Sequence, residues 1–465
     1  MPNSTGLPVS TPAIHDLCGS ITGEVITPDD PRYDGARACF NLVFDQYPAL
    51  VVMAANDEDV VGAVRYAADH GLDIAVQATG HGLVRMADGA LLINTSPMTG
   101  VAIDPIARTA RVEAGAKWGH VLAAAQRHGL APLLGSSSDV GAVGYTLGGG
   151  FGWLGRKHGL ASDTVVDFDA VTAGGERLTV SAGENADLFW GLRGGGGGLA
   201  VVTAMTVRLF PVQTVYGGRL VWPADSAAAV LRRWRDWLPT LPEEMTTSVK
   251  IMSLPDMEFV PAPLRGQTLT VLAGCFCGPL EEGAALMDDW RAWRAPIIDD
   301  FRAMPFAEAD EISQDPQDPV PAMTTGAWLR DLSAGAIDTI VRFATMQEGR
   351  VPLIFIEIRH AGGAVGRAGA TASAFGHRDA ELLLDAVYMV PAPPVRDVVV
   401  DHMRRLKAAL RPAMTGTVYM NFLEGEEKNE RVGDGFPAAT LARLAALKER
   451  YDPDDRLNRA MHIIN

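Results

Sequence analysis

Apolar residues recur in two rhythms along this chain, and the rhythm changes along its length. Residues 1–46 read as a helical lead-in, with apolar positions at loosely helical spacing from Arg32 to Tyr47. Ala49 to Met53 is a short apolar run of strand length. From Asp57 to His70 the apolar positions Val60, Val61, Val64, Ala67 and Ala68 form one helical stripe, with Asp57 as N-cap and Gly71 as the stop. Asp73 to Gln77 and Ala90 to Asn94 follow as strands. Strand, helix, strand, strand in this order predicts a small α/β lobe over residues 1–98.

From Val101 the period shortens to two. Val101 to Asp104 and Thr109 to Glu113 alternate like the arms of a hairpin. Trp118 to His128 reads as a helix closed by Gly129. Val165 to Thr172 and Arg177 to Ser181 flank the turn Ala173 to Glu176, and Leu199 to Leu209 is a long β-branched strand. These elements predict a second, mostly antiparallel lobe over 99–212. Beyond Phe210-Pro211, amphipathic helices (Ala227 to Leu238, Gly283 to Trp293, Ala334 to Met346) interleave with strands (Arg219 to Val221, Thr268 to Phe276, Leu353 to Arg359). That mixture predicts an α+β domain over 213–414, an antiparallel sheet covered on one side by helices. Pro305 to Pro321 reads as a surface loop. A final segment, 415–465, opens on a strand Thr417–Phe422, continues into a helix from Ala438 to Tyr451, and has too little structure of its own to stand apart from the rest.

Between the elements lie three glycine clusters. The longest runs from Leu134 to Arg156 and holds seven glycines: Gly135, Gly141, Gly144, Gly148, Gly149, Gly150 and Gly152. The others are Ala78 to Gly82, which carries His81, and the run Gly194 to Gly198. Their flanks are Val, Leu, Phe and Trp rather than Ser, Gln and charge, so they read as ordered loops that place bare backbone against a large flat or anionic ligand. None fits the dinucleotide fingerprint or the P-loop. The ligand is a nucleotide bound neither in a Rossmann site nor in a P-loop.

Composition removes other readings. Of 465 residues, 48% are hydrophobic and 21% charged, with 56 acidic against 40 basic and a formal charge of −16. Phosphate neutralisation needs Lys and Arg clusters; nucleic acid and anionic membrane surfaces are therefore not expected partners. No apolar run reaches membrane-spanning length, and the N-terminus lacks the basic and apolar regions of a signal peptide, so a cytoplasmic location is expected. Four cysteines, Cys18, Cys39, Cys275 and Cys277, are too few for a disulfide scaffold and lack partners at metal-ligand spacing.

The segments ATGHG, DGALLINTSPM, RVEAGAKWGHVLAAAQRHGLAPLLG, VGYTLGGGFGWLGRKHGLASDTVVDFDAVTAGG, ENADLFWGLRGGGG and RYDPDDRLNRAMHI occur in that order. In this the chain resembles the berberine-bridge-enzyme-like FAD-linked oxidases of the vanillyl-alcohol oxidase superfamily. The resemblance runs from about residue 20 to the end and is weakest over 213–350. It implies a PCMH-type two-lobed FAD-binding domain (1–212), a substrate domain (213–414) and a C-terminal segment (415–465) that rejoins the first. It assigns Thr79, Gly80, His81, Gly82, Ser137, Gly141, Gly144, Tyr145, Gly148, Gly149, Gly150, Gly152, Val202, Asn421 and His462 to the cofactor. It implies a covalent bond from His81 to the flavin. Ser137 stands where some members carry a second, cysteine link, so a single link is expected. Departures are Gln77-Ala78-Thr79 before Gly80-His81, a shortened loop from His81 to Asp88, and Ala460 and His462 in place of two asparagines.

For chemistry, the resemblance points to Tyr419 and Asn421. On a strand, residues two apart share a face, so both could address the ring. Tyr419 is either the proton acceptor during hydride removal or an aromatic packing the sheet. Glu357, alternating with isoleucines in LIFIEIRH, is either a second base or a plain solvent-facing charge. The function so read is oxidation of a small alcohol, amine or phenolic substrate, with O₂ as acceptor and H₂O₂ as product, by a monomer or homodimer. The rivals are a dehydrogenase or monooxygenase-like enzyme, and a flavin binder without turnover.

Overall fold

A computed structural model of the chain describes residues 11–258, 260–345, 351–369 and 372–460. Among these residues three sheets form, one after another along the chain. The first holds β1 (Glu24–Ile26), β2 (Leu50–Met53), β3 (Ile74–Gln77) and β4 (Leu91–Asn94) in the order β1-β2-β4-β3. β4 runs parallel to both β2 and β3, as it must when a helix makes the crossover. That helix, Asp57–His70, buries Val60, Val61, Val64 and Ala67 against the sheet. Its cap is Asn56, one residue before the expected Asp57: the Asn56 side chain accepts from the Asp59 N–H. Gly71, at φ 64, stops it.

The second sheet holds β5 (Val101–Asp104), β6 (Thr109–Glu113), β7 (Val165–Val171), β8 (Arg177–Ser181) and β9 (Val201–Arg208), all antiparallel, in the order β5-β6-β9-β7-β8. The third has eight antiparallel strands: β10 (Thr214–Pro223), β11 (Met245–Ser253), β12 (Thr268–Phe276), β13 (Ile298–Asp299), β14 (Arg302–Pro305), β15 (Ala322–Leu329), β16 (Leu353–His360) and β17 (Leu382–Met389). One face of this sheet, with Val249, Ile251, Ile356, Ile358 and Leu384, packs under the helices Ala227–Trp237, Ala334–Thr345 and Pro393–Leu410. The opposite face carries Ser248, Lys250, Glu357, Arg359 and Asp385, in register across β11, β16 and β17. Period two separates the two sets cleanly.

Three expectations fail locally. Arg32 to Tyr47 is helical only over Tyr33–Arg37. Beyond it the chain is drawn off as connecting loop, because Phe40 N–H bonds to Thr79 O and Leu42 N–H to Val320 O. Pro305 to Pro321 is more than a surface loop: Asp310–Ser313 is a helical turn, and Phe306 and Ile312 are fully buried. Thr417–Phe422 is not a strand, since Met420–Phe422 closes into a 3-10 turn directly after Tyr419.

The C-terminal segment packs back on the first two sheets. Ile74 N–H at the edge of β3 donates to Arg456 O, and Lys448 Nζ donates to Gly198 O in the second glycine run. That run lies against the first, with Gly194 and Gly196 N–H both bonded to Leu147 O. Gly149 sits at φ +108, and a Cβ there would lie 2.5 Å from the Phe375 ring. A branched side chain would meet both the strained backbone and the ring. Gly149→Val is therefore expected to lower stability by about 2–4 kcal/mol, or to give insoluble protein. Gly335→Ala, at an exposed helical position with nothing within 4 Å of the added methyl, should hold or raise the melting temperature. Thermal melts of the two variants check both; equal melting of Gly149→Val and wild type would overturn the packing argument.

Candidate active site

The three sheets and the returning segment enclose a cavity of about 400 Å³. The loop from Ala78 to Arg85 forms one wall. Gly135 to Ser137 and the short helix Ala142–Leu147 form the next, Tyr419 to Phe422 the third, and Arg359 of β16 reaches in from the third sheet.

His81 lines the first wall. Its ring stacks on Phe40 at 3.7 Å between centroids, and Nδ1 lies 2.8 Å from Thr79 Oγ1. Burial holds the imidazole neutral, pulling it down to about 4. The loop that carries it is clamped by the C-terminal segment. Glu424 Oε1 accepts from Gly82 N–H at 3.2 Å, Lys428 Nζ donates to Gly82 O at 3.0 Å, and Gly425 N–H donates to Leu83 O at 2.8 Å. Asn41 adds a 2.6 Å bond to Glu424 Oε2. Burial raises the Glu424 carboxyl and lowers the Lys428 ammonium to about 8, each partly offset by the other's charge.

Tyr419 is buried, its ring packed among Trp328, Phe375 and Phe422. Its Oη accepts three hydrogen bonds: Gly150 N–H at 3.0 Å, Phe151 N–H at 3.1 Å and Asn421 Nδ2 at 3.1 Å. The orientation of the Asn421 amide is set by its second bond, Nδ2 to Tyr145 O at 3.0 Å. Among the described residues no acceptor takes the Tyr419 proton. Burial pushes this phenol up to about 12, while the three donors favour its ionised form. The expected strand is absent, yet Tyr419 and Asn421 still meet, because the 3-10 turn swings the amide back onto the hydroxyl. Gly148 allows this: a Cβ there would stand 1.8 Å from Asn421 Oδ1.

Of the residues singled out in the sequence, Thr79, Gly80, His81, Gly82, Ser137, Gly141, Gly144, Tyr145, Gly148, Val202, Tyr419 and Asn421 share this cavity. Gly149, Gly150 and Gly152 do not reach its wall. After the helix ends at Leu147 the chain turns into the core, where Ala161 and Ser162 N–H bond to Gly150 O and Gly149 O. Glu357 is not on the wall either. Its Oε1 accepts from Ser248 Oγ at 2.7 Å with Lys250 Nζ at 3.9 Å, and its Oε2 from Arg359 Nε at 2.9 Å. Burial opposes its charge, but Arg359, Lys250 and Ser248 hold it at about 2, so it is a counter-ion behind Arg359 and a poor proton acceptor. His462 lies outside the described residues. Glu424, Lys428 and Asn41 were not foreseen; the run of charge over Gly425–Glu430 reads from sequence as a solvated helix, and nothing local marks it as buried.

Comparison with known proteins follows this geometry. Residues 48–181 match the family of FAD binding domains. An uncharacterised FAD-linked oxidoreductase of Bacillus subtilis is 29% identical over 447 residues, covering 94% of this chain and 95% of that protein. (R)-6-hydroxynicotine oxidase of Paenarthrobacter nicotinovorans is 29% identical over 464 residues, covering 96% and 97%. Among solved structures, 6-hydroxy-D-nicotine oxidase of Arthrobacter nicotinovorans superposes with a TM-score of 0.85 at 25% identity, covering 98% of this chain and 99% of that one.

The buried charges make a pH test. Asp385 faces Glu357 across β16 and β17, accepts from Thr324 Oγ1 at 2.7 Å, and is pushed by burial to about 7 from 3.8. Between those values the folded protein keeps a proton that the unfolded chain releases, so this group lowers stability as pH rises from about 4 to about 7. Glu357 acts in the opposite sense in a separate window, losing its contribution as pH falls from 4.5 towards about 2. Asp385→Asn keeps the Thr324 bond and removes the upper titration. Its stability relative to wild type should improve by about 2 kcal/mol between pH 5 and pH 8. Urea denaturation at both pH values reads this, and a constant gap would refute it.

Proposed function

We propose, for a chain that belongs to the PCMH-type, berberine-bridge-enzyme-like superfamily of FAD-linked oxidoreductases, that it is an oxidase whose FAD is joined through His81 alone and whose electrons pass to O₂. The observation that carries the reading is that His81, from the first lobe, and Tyr419, from the returning segment, face one cavity.

The residues present fit the cofactor. Gly144 opens on the cavity with nothing within 4 Å of where a Cβ would stand, and the Tyr145 hydroxyl is buried there without a partner among the described residues. Gly80 and Gly82, both at positive φ, leave bare backbone on the wall. Thr79, Gly80, His81, Gly82, Gly141, Gly144, Gly148 and Val202 would hold the FAD. When bound, FAD supplies the hydride acceptor and the route to O₂.

The chain's own residues do the rest. A neutral His81, one nitrogen held by Thr79, is in the protonation state that bond formation to carbon needs. Ser137 on the adjoining wall has no thiol, which leaves one link. Tyr419, in its ionised form, takes a proton from the substrate's O–H or N–H as the neighbouring C–H is oxidised. Its three N–H donors stabilise the phenolate through the charge-assisted bonds that a neutral phenol would make more weakly. Aromatic walls at Tyr145, Phe151 and Phe422 exclude water from the reacting carbon. The one-cavity arrangement supports the 1–212, 213–414 and 415–465 division into cofactor, substrate and closing segments.

Two measurements test the reading. Intact-mass spectrometry after acid denaturation should show the chain carrying one FAD, and His81→Ala should show none; an unmodified wild-type mass sinks the covalent link. Tyr419→Phe should slow anaerobic flavin reduction by about 10²–10⁴-fold. It should also cost about 2 kcal/mol of stability, because the N–H groups on Oη lose their acceptor. Reduction at the wild-type rate across pH would place the base elsewhere.

A further inference from the structure

Arg359 is a cation on the cavity wall that the proton transfer does not use. It comes from β16, on the polar face of the third sheet, and meets the cavity beside Tyr419, Phe422 and Ser136. Its Nε donates to Glu357 and its Nη2 reaches Ser136 Oγ at 3.3 Å, a long bond. Nη1 has no partner among the described residues. The guanidinium lies over the Phe422 ring, 5.0 Å from its centroid, which fixes its plane. The outer edge of a planar fork is thus presented to the cavity with its inner edge anchored.

Glu357 is shared between Arg359 and Lys250, two cations on one carboxylate. The next carboxyl, Asp385, is held partly protonated by burial. Asp315, in the loop before β15, and Asp385 add negative charge through space, so the guanidinium is held charged. The Nη1 edge nonetheless has no acceptor, and a buried donor without one is costly unless a ligand supplies it. A carboxylate matches both the charge and the two-pronged geometry of the fork.

We propose that the substrate of this enzyme is a carboxylate, docked with its oxygens on Arg359 and the Ser136 hydroxyl so that the carbon to be oxidised lies toward Tyr419. Glu357 is the positioning residue that holds the fork. The proposal rests on this cavity being the substrate site, and is independent of the covalent link and of the electron acceptor.

Benzoate and benzamide, the same ring with and without the charge, are the probes, titrated into the purified holoenzyme by calorimetry. Flavin content is read separately from the visible absorbance. Benzoate should bind at least ten-fold more tightly than benzamide. Arg359→Met should weaken benzoate at least ten-fold and leave benzamide unchanged, and Arg359→Lys should fall between, keeping charge without the fork. In wild type alone, benzoate affinity should fall with added salt and benzamide affinity should not, so the test survives an unstable variant. Benzoate binding no tighter than benzamide, or undetectable, overturns the proposal. So does unchanged benzoate affinity in Arg359→Met, and a loss of flavin with that affinity kept would assign Arg359 to the cofactor. A preparation without flavin sinks the cofactor reading while the anion preference stands or falls on its own titration.

Discussion

The Tyr419 oxygen fastens the molecule together. Two of its donors, Gly150 and Phe151 N–H, belong to the long glycine run of the first domain; the third, Asn421, belongs to the returning segment. Its ring packs on Trp328 of β15, in the third sheet. One buried side chain therefore ties three stretches of chain, the glycine run, β15 and the returning segment. Buried backbone N–H groups need acceptors, and in a turn as glycine-rich as 148–152 the local chain supplies few. The phenol supplies one, and in doing so sets the distance between the glycine loop and the sheet opposite. The cavity has its width from this joint and its depth from the clamp on Gly82.

The third sheet adds a second constraint. Its helix-covered face is an ordinary apolar core, and its other face holds buried ions. Ion pairs of this kind are rarely the most stable filling for an interior. They persist here on the face turned to the cavity, where a fixed guanidinium orientation is of use to a ligand. Stability is thus drawn from one side of the sheet and chemistry from the other, and alternation along each strand keeps the two apart.

Much of the first two sheets was legible in the sequence because their signals are local: the stripe from Val60 to Ala67, the alternation from Thr109 to Glu113, the stop at Gly71. The ordered glycine loops were legible for the same reason. β11, β15 and β17 were not recognised. Buried on both faces, they show residues such as Thr246, Ser248 and Thr325 where a half-exposed strand would show charge. The site was legible where a motif carries it, at His81, Tyr419 and Asn421. It was illegible where partners come from afar. Nothing near Glu357 announces that Lys250 and Ser248 lie beside it, so a carboxylate locked by two cations looked like an available base. The glycines at 149, 150 and 152 looked like cradle because spacing cannot distinguish a backbone that meets a ligand from one that meets Phe375 or Leu134.

The clamp on Gly82 also orders events in time. The loop bearing His81 leaves the ribosome more than three hundred residues before Glu424 and Lys428. Domains of a growing chain fold as they emerge, so the strands of the first sheet can pair while one wall of the cavity is still unsynthesised. A dinucleotide meeting that nascent form would find an open groove with the histidine loop unheld. A chain cut just before residue 424 would keep all three sheets yet lose the contacts that hold the histidine loop, and with them the closed side of the compartment.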